Sequence, residues 1–98
     1  MQVLMVRSKI EADGVADVEA GVKKMVDALD AAQPEGLRYA SLLVDGDTFI
    51  ALRALDDDSN NPLEDLPEYK ELLEVVEGVR AEPPVVEMWA VSASYRLF

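Results

Sequence analysis

The chain has 98 residues, of which half are hydrophobic and 30% are charged, a composition typical of one globular domain spanning residues 1–98. Its net charge of −11 repels phosphate backbones and anionic head groups, so neither nucleic acid nor a membrane is expected as a partner. Histidine and cysteine are both absent, which excludes disulfides and removes the usual ligands of zinc and haem iron. We therefore expect no metal site and no cofactor.

The sequence also bears on where the protein resides. No apolar run approaches the ~20 residues of a membrane-spanning helix. The first residues lack the basic, apolar and small-residue regions of a signal peptide, and they are predicted to form a strand instead. Together with the absence of cysteine, these features lead us to expect a cytoplasmic protein.

Residues 3–10 predict a strand that is apolar on both faces at its start, as in the centre of a sheet. Its side chains alternate between two sides, with Leu4, Val6 and Ile10 on one and Val3, Met5, Arg7 and Lys9 on the other. From residue 15 to residue 32 the apolar positions recur every three or four residues, which predicts an amphipathic helix.

Residues 38–55 predict a β-hairpin, because two strand-like runs flank Asp45-Gly46-Asp47. A three-residue loop is favoured, since it pairs Val44 with Thr48 and collects apolar side chains on one face. Gly46, or otherwise Asp47, is expected in the left-handed conformation. We expect the helices to cover the wholly apolar face, which carries Ala40, Leu42, Val44, Ile50, Leu52 and Ala54. The opposite face is apolar only in its middle and carries Tyr39, Ser41, Leu43, Phe49, Ala51 and Arg53.

The second half of the chain predicts a loop, a helix and a strand. Residues 56–61 form the longest polar run, which we interpret as a solvated loop. A helical stripe of apolar residues runs from residue 63 to residue 79, and Glu82-Pro83-Pro84 ends that helix. Residues 85–98 predict a long final strand with apolar residues on both faces.

The order strand, helix, strand, strand, helix, strand predicts a ferredoxin-like α+β fold, a split βαβ unit, because crossovers are right-handed and connections are short. We expect a four-stranded antiparallel sheet in the order 4-1-3-2 with both helices on one face. A homodimer would cover the other face by packing sheet against sheet. That helix-free face is expected to expose Val3, Met5, Tyr39, Leu43, Phe49 and Ala51.

Four short sequence segments accompany this order of elements: Pro34-Glu35-Gly36-Leu37-Arg38-Tyr39-Ala40, Asn61-Pro62-Leu63, Leu66-Pro67-Glu68-Tyr69-Lys70-Glu71-Leu72 and Glu82-Pro83-Pro84. With them the chain resembles, over nearly its whole length, the dimeric α/β-barrel superfamily and in particular its small antibiotic-biosynthesis-monooxygenase-like proteins. The resemblance implies a dimeric α/β barrel with a substrate cavity between sheet and helices in each subunit.

The superfamily that the chain resembles contains several activities. Some members oxidise aromatic polyketide-like or quinol substrates with oxygen and no cofactor, others degrade haem or isomerise lactones, and others have no known activity. The Asn and Trp that the oxygenases place on their third strand are missing from residues 48–55, and the axial histidine of the haem-degrading members has no counterpart. No catalytic residue can therefore be carried over by position.

Five side chains are candidates for substrate binding: Tyr69, Arg53, Tyr39, Arg7 and Trp89. Tyr69 lies on the apolar stripe of the second helix and forms either a core aromatic or one wall of a site. Trp89 suits either dimer packing or a ligand contact. Arg7 and Arg53 are expected on neighbouring strands and on one face, where they either clamp an anionic substrate or pair with nearby carboxylates.

The expected register conflicts with a single site. Arg7, Tyr39 and Arg53 would lie on the face opposite to the one on which Ala40 and Ala54 leave room for a ligand, so they would reach a sheet–helix pocket only at its rim.

Two functions stay open. One is a cofactor-independent monooxygenase-like or related cavity enzyme acting on a small aromatic or apolar molecule, which needs an enclosed pocket of several hundred cubic ångströms. The other is a non-catalytic dimeric module that binds a small ligand or only assembles.

Overall fold

The computed structural model describes residues 1–97, which form four strands and two α-helices in the predicted order. The strands are β1 (Gln2–Lys9), β2 (Leu37–Val44), β3 (Thr48–Leu55) and β4 (Val85–Ala90). The helices are α1 (Val15–Ala32) and α2 (Pro67–Val79), preceded by short 3-10 turns at Ala12–Gly14 and Pro62–Asp65. Neither helix in this part of the chain has the length and apolar character needed to cross a membrane.

All strand pairs are antiparallel, and the strands lie in the order β2-β3-β1-β4. Read from the other edge, this is the predicted order 4-1-3-2, and it confirms the ferredoxin-like α+β fold. Both helices pack on one face of the sheet, where Val18 and Met25 of α1 and Leu72 of α2 are buried with Phe49 of β3. The core of the molecule therefore lies between this face and the two helices.

Gly14 lets the start of α1 reach the end of α2. A Cβ atom on Gly14 would lie 2.5 Å from the Cβ of Val79, which is closer than real side chains tolerate. The φ angle of Gly14 is −98°, which any residue can adopt. Glycine is therefore required here by the lack of space for a side chain and not by the backbone conformation. Further along α1, a Cβ on Gly21 would lie 3.1 Å from Cδ1 of Leu72, so this glycine also serves the contact between the helices.

The hairpin between β2 and β3 has the predicted three-residue loop. Val44 pairs with Thr48, and the N–H of Asp47 donates to the Val44 carbonyl at 3.3 Å. Gly46 is left-handed as predicted, with φ of 78°, and Asp45 is left-handed as well, with φ of 55°. Aspartate adopts this conformation more readily than most residues, because its short polar side chain can form local hydrogen bonds.

The predicted orientation of the hairpin faces is wrong. β3 pairs with β1 so that Phe49 lies beside Ser8 and Arg53 lies beside Leu4, on the face that the helices cover. The wholly apolar face points away from the helices instead. Both faces are hydrophobic enough to form a core, and the large ring of Phe49, only 7% exposed, fills the space beneath α1 and α2.

The helix-free face of the sheet consequently differs from the predicted one. Val3 and Met5 lie on it, as expected from the alternation along β1, but they are only 2% and 0% exposed, so the prediction that this face exposes them is wrong. The hairpin adds to it Ala40, Leu42, Val44, Ile50, Leu52 and Ala54. The most apolar surface of the sheet is therefore the one that the helices leave uncovered.

The final strand is shorter than predicted. β4 ends at Ala90, which pairs with Gln2, and Val91 donates one further backbone hydrogen bond, to the Met1 carbonyl at 2.9 Å. The segment 92–97 has no regular structure and contributes to a groove on the helix-free face. Residue 98, also assigned to this strand, lies outside the described residues.

Gly14→Ala is expected to lower the free energy of unfolding by about 1–3 kcal/mol, because its methyl group would overlap Val79. Gly78→Ala is the matched control, since Gly78 lies within α2 and a Cβ there would meet nothing within 4 Å. The control should raise stability by roughly 0.5–1 kcal/mol through helix propensity. Urea unfolding followed by circular dichroism measures both. Equal effects of the two substitutions would contradict a tight junction at Gly14.

Candidate functional site

A cavity lies between the helix-covered face of the sheet and the two helices. Its volume is about 110 Å³, and most of its wall is apolar. The apolar wall includes Leu4, Val6, Phe49 and Ala51 from the strands and Val18, Val22, Leu72 and Val76 from the helices. The cavity is smaller than the several hundred cubic ångströms expected for an enzyme pocket, and close in size to a cavity of roughly 150 Å³ that accepts a benzene ring.

The space in the cavity comes from two small residues on adjacent strands. Ser41 of β2 and Ala51 of β3 lie directly opposite each other, and Ala51 also lies opposite Val6 of β1. Sequence reasoning assigned this role to Ala40 and Ala54, which lie on the helix-free face. The reason for the difference is again the orientation of the hairpin.

Tyr39 of β2 and Tyr69 of α2 bring two phenols into the cavity wall. Burial raises the pKa of the Tyr39 phenol to about 12, and the nearby phenol of Tyr69 adds to the rise, whereas a hydrogen bond with Ser41 opposes it. Tyr39 is therefore neutral near pH 7, where it can donate a hydrogen bond to a ligand but cannot act as a base.

Arg53 lies beside Tyr39, because the two residues face each other across the β2–β3 pair. The guanidinium Nε of Arg53 is buried and has no hydrogen-bond partner within residues 1–97. Tyr39, Arg53 and Tyr69 thus line one cavity together. The conflict expected from the sequence disappears, because the hairpin turns Tyr39 and Arg53 towards the helices.

Arg80 is a wall residue that sequence reasoning missed. It follows α2 directly and forms an isolated β-bridge with Ile10, just beyond the end of β1. Its side chain lines the cavity, and its Nε is also buried without a hydrogen-bond partner in the described residues. The sequence shows only an arginine at the C-terminal end of a helix, where a cation is favourable in any case, so no local signal marks it.

The other two candidates lie away from the cavity. Arg7 is exposed and lies opposite Ile50, on the helix-free face, so the expectation that it shares a face with Arg53 is wrong. Trp89 is on the helix-free face too, and its Nε1 donates to Oε1 of Glu87 at 2.9 Å. Neither side chain contributes to the cavity wall.

The fold and the cavity define a ferredoxin-like α+β protein with a sheet–helix pocket. A Nitrosomonas europaea protein provisionally described as an antibiotic biosynthesis monooxygenase superposes on the chain with a TM-score of 0.77 and 15% sequence identity, over 95% of this chain and 100% of the other. A Caulobacter crescentus protein with the same provisional description superposes with a TM-score of 0.72 and 16% sequence identity, over 93% of this chain and 90% of the other. A Mycobacterium tuberculosis protein superposes with a TM-score of 0.71 and 17% sequence identity, over 95% of this chain and 96% of the other.

No protein-family model matches the sequence, and no curated protein matches it. At 15–17% identity the likeness to these structures establishes a shared fold and does not transfer an activity or a substrate. The resemblance to antibiotic-biosynthesis-monooxygenase-like proteins is thereby confirmed at the level of the fold.

Tyr39→Phe is expected to remove an ionisation near pH 12 from an ultraviolet titration of the tyrosines. Unfolded Tyr39 ionises near pH 10 and folded Tyr39 near pH 12, so its contribution to stability is complete below pH 10 and is lost as the pH rises towards 12. Over that range the wild type should lose about 2–3 kcal/mol more than Tyr39→Phe in urea unfolding.

Tyr95→Phe is the matched control for this titration, because Tyr95 is 81% exposed. It should follow the wild-type loss of stability at high pH. An identical loss in the wild type and in Tyr39→Phe would contradict the buried environment of Tyr39.

Proposed function

We propose that the sheet–helix cavity binds a small aromatic or apolar molecule and that the protein acts on it as a cofactor-independent monooxygenase-like or related enzyme. The observation that supports this proposal is the convergence of Tyr39, Tyr69 and Arg53 on one apolar cavity. Apolar walls supply most of the affinity for a small ligand, and a few polar groups orient it. The likeness in fold to proteins provisionally described as monooxygenases agrees with the proposal.

A phenol or quinol is the substrate class that these groups suit best. The guanidinium of Arg53 would stabilise negative charge on the substrate oxygen, and the neutral Tyr39 phenol would donate a hydrogen bond to it. The anionic form of a phenol is the electron-rich form that reacts with dioxygen. In the monooxygenase reaction one oxygen atom of O₂ becomes a carbonyl oxygen on a ring carbon, and the other leaves as water with two hydrogens from the substrate.

The alternative function is a non-catalytic dimeric module that binds a small ligand or only assembles. The cavity of about 110 Å³ is below the several hundred cubic ångströms expected for the enzyme, which favours this alternative. The chain also contains no His and no Cys, so it lacks the commonest acid–base side chain and the thiol nucleophile. Such a module would bind the same phenols and quinols without consuming oxygen. Measuring binding and oxygen consumption separately therefore distinguishes the two functions.

Ligand-observed NMR with a set of phenols and quinols tests the binding step. Wild-type protein should bind members of the set saturably, and Tyr69→Ala should weaken binding by about tenfold or more because it removes an aromatic wall. Trp89→Ala is the matched control on the helix-free face and should bind as the wild type does. An oxygen electrode then separates the functions, since uptake that depends on a bound quinol supports the enzyme and binding without uptake supports the module.

A loss of binding in Trp89→Ala alone would place the ligand on the helix-free face and contradict the cavity. Phe49→Ala does not separate the two sites, because Phe49 lines the cavity and belongs to the core.

We also propose that the protein forms a homodimer through the helix-free face of the sheet. Leu42 and Val44 are 45% and 38% exposed there, and Ile50 and Leu52 beside them are partly exposed. Burying apolar side chains of this kind against a second copy is favourable, and a two-fold axis allows one patch to serve both partners.

Light scattering at micromolar concentration is expected to give twice the chain mass, and Leu42→Asp should give a monomer by placing a charge in the interface. Val86→Asp is the matched control, because Val86 is 57% exposed and lies opposite Val6, on the other face. Phe49 was assigned to the interface by sequence reasoning but is a core residue, so Phe49→Asp should unfold the protein. A monomeric wild type, or a dimer broken only by Val86→Asp, would contradict this interface.

A further inference from the structure

The two arginines of the cavity wall each bury a hydrogen-bond donor that no protein group satisfies. The Nε atoms of Arg53 and Arg80 are shielded from solvent, and within residues 1–97 they are the buried side-chain nitrogen or oxygen atoms without a partner. An unpaired buried donor is destabilising, and more so when it belongs to a charged group. Because both unpaired donors belong to one cavity, they indicate an occupant that accepts hydrogen bonds.

The two arginines stand near opposite ends of β1. Arg53 lies opposite Leu4 in the β3–β1 pairing, whereas Arg80 forms its bridge with Ile10, beyond the other end of β1. The wall between the two arginines is mostly apolar. An occupant that satisfies both donors therefore has an acceptor at each end of an apolar body.

Neither guanidinium finds a counter-charge in the cavity. No Asp or Glu contributes to the wall, and the two ion pairs found within residues 1–97, Lys24–Glu71 and Arg38–Asp56, are on the surface. No three acidic side chains in the same residues are arranged to hold a metal ion. Two guanidinium groups, each with its Nε buried, thus line an apolar cavity in a protein whose net charge is −11. An anionic ligand would compensate them.

We propose that the cavity takes a small aromatic acid, with a carboxylate at one end of a single ring and a second oxygen acceptor at the other. This inference rests on the proposed function, because it narrows the aromatic ligand of the same cavity to an anionic one. The planar guanidinium of each arginine matches a carboxylate in geometry as well as in charge. The volume of about 110 Å³ limits the apolar body to about one ring.

Isothermal titration calorimetry with toluene, benzoate and terephthalate tests the inference, since these rings carry no, one and two carboxylates. Each added carboxylate should tighten binding to the wild type by about tenfold or more, as expected for a hydrogen bond to a charged group. Arg53→Gln and Arg80→Gln should each reduce the affinity for terephthalate to about that for benzoate. Arg7→Gln is the matched control on the helix-free face and should change neither affinity.

Equal affinities for the three compounds would overturn the inference. The proposed function would survive this result, because it requires only an aromatic or apolar ligand in the cavity. A similar weakening in Arg7→Gln would show nonspecific attraction of anions and would also overturn it. Arginine-dependent binding of the acids without oxygen uptake on any phenol or quinol would support the inference and count against the enzymatic function alone.

Thermal unfolding without ligand separates a binding role from a structural one. Arg53→Gln and Arg80→Gln should unfold at temperatures no lower than Arg7→Gln, because the donors they remove have no partner in the protein. Adding terephthalate should raise the unfolding temperature of the wild type and raise that of either variant less. A marked fall in the unfolding temperature of both cavity variants would show that these arginines hold the fold together, and would overturn the inference.

Discussion

The pairing of β3 with β1 is the constraint on which the rest of the molecule depends. Because Leu4 lies opposite Arg53 and Ser8 lies opposite Phe49, the hairpin can present only one of its faces to the helices. That face brings Phe49 into the core and Tyr39 and Arg53 into the cavity. A slip of one residue would exchange the two faces, and the cavity would lose the polar side chains that β2 and β3 now supply. One register thus determines both the site and the outer apolar face.

The order of the elements and the three-residue loop were predictable because local chemistry determines them. Helical spacing, the prolines that end a helix and the Asp45-Gly46-Asp47 turn act over a few residues each. Alternation along the hairpin also identified correctly which residues share a face. It misidentified which face meets the helices, because polarity favoured the wholly apolar face, whereas the face with Phe49 in its middle is the one that the helices cover. Packing decides between them, because the ring of Phe49 fills a space under both helices that no pattern in β3 alone reveals.

The candidate site was predictable only in part, for the same reason. Tyr69 could be placed because it lies on the apolar stripe of a long helix. Tyr39 and Arg53 were recognised as useful polar groups but were placed on the wrong face, an error that follows entirely from the orientation of the hairpin. Arg80 was not found at all, because its position depends on one bridge to Ile10 between distant parts of the chain. Long-range pairing, and not residue type, therefore limits what the sequence reveals about this cavity.

An anionic ligand is compatible with a net charge of −11, because the two charges act over different distances. Interactions between solvent-exposed charges are screened over about 8 Å at physiological ionic strength, so the acidic surface contributes little inside the cavity. A guanidinium and a carboxylate about 4 Å apart attract each other by about 4 kcal/mol at an effective dielectric constant near 20. In the proposed complex the local attraction of Arg53 and Arg80 would therefore exceed the distant repulsion. The acidic surface would slow the approach of an anion, whereas the cavity would determine how tightly the anion is held.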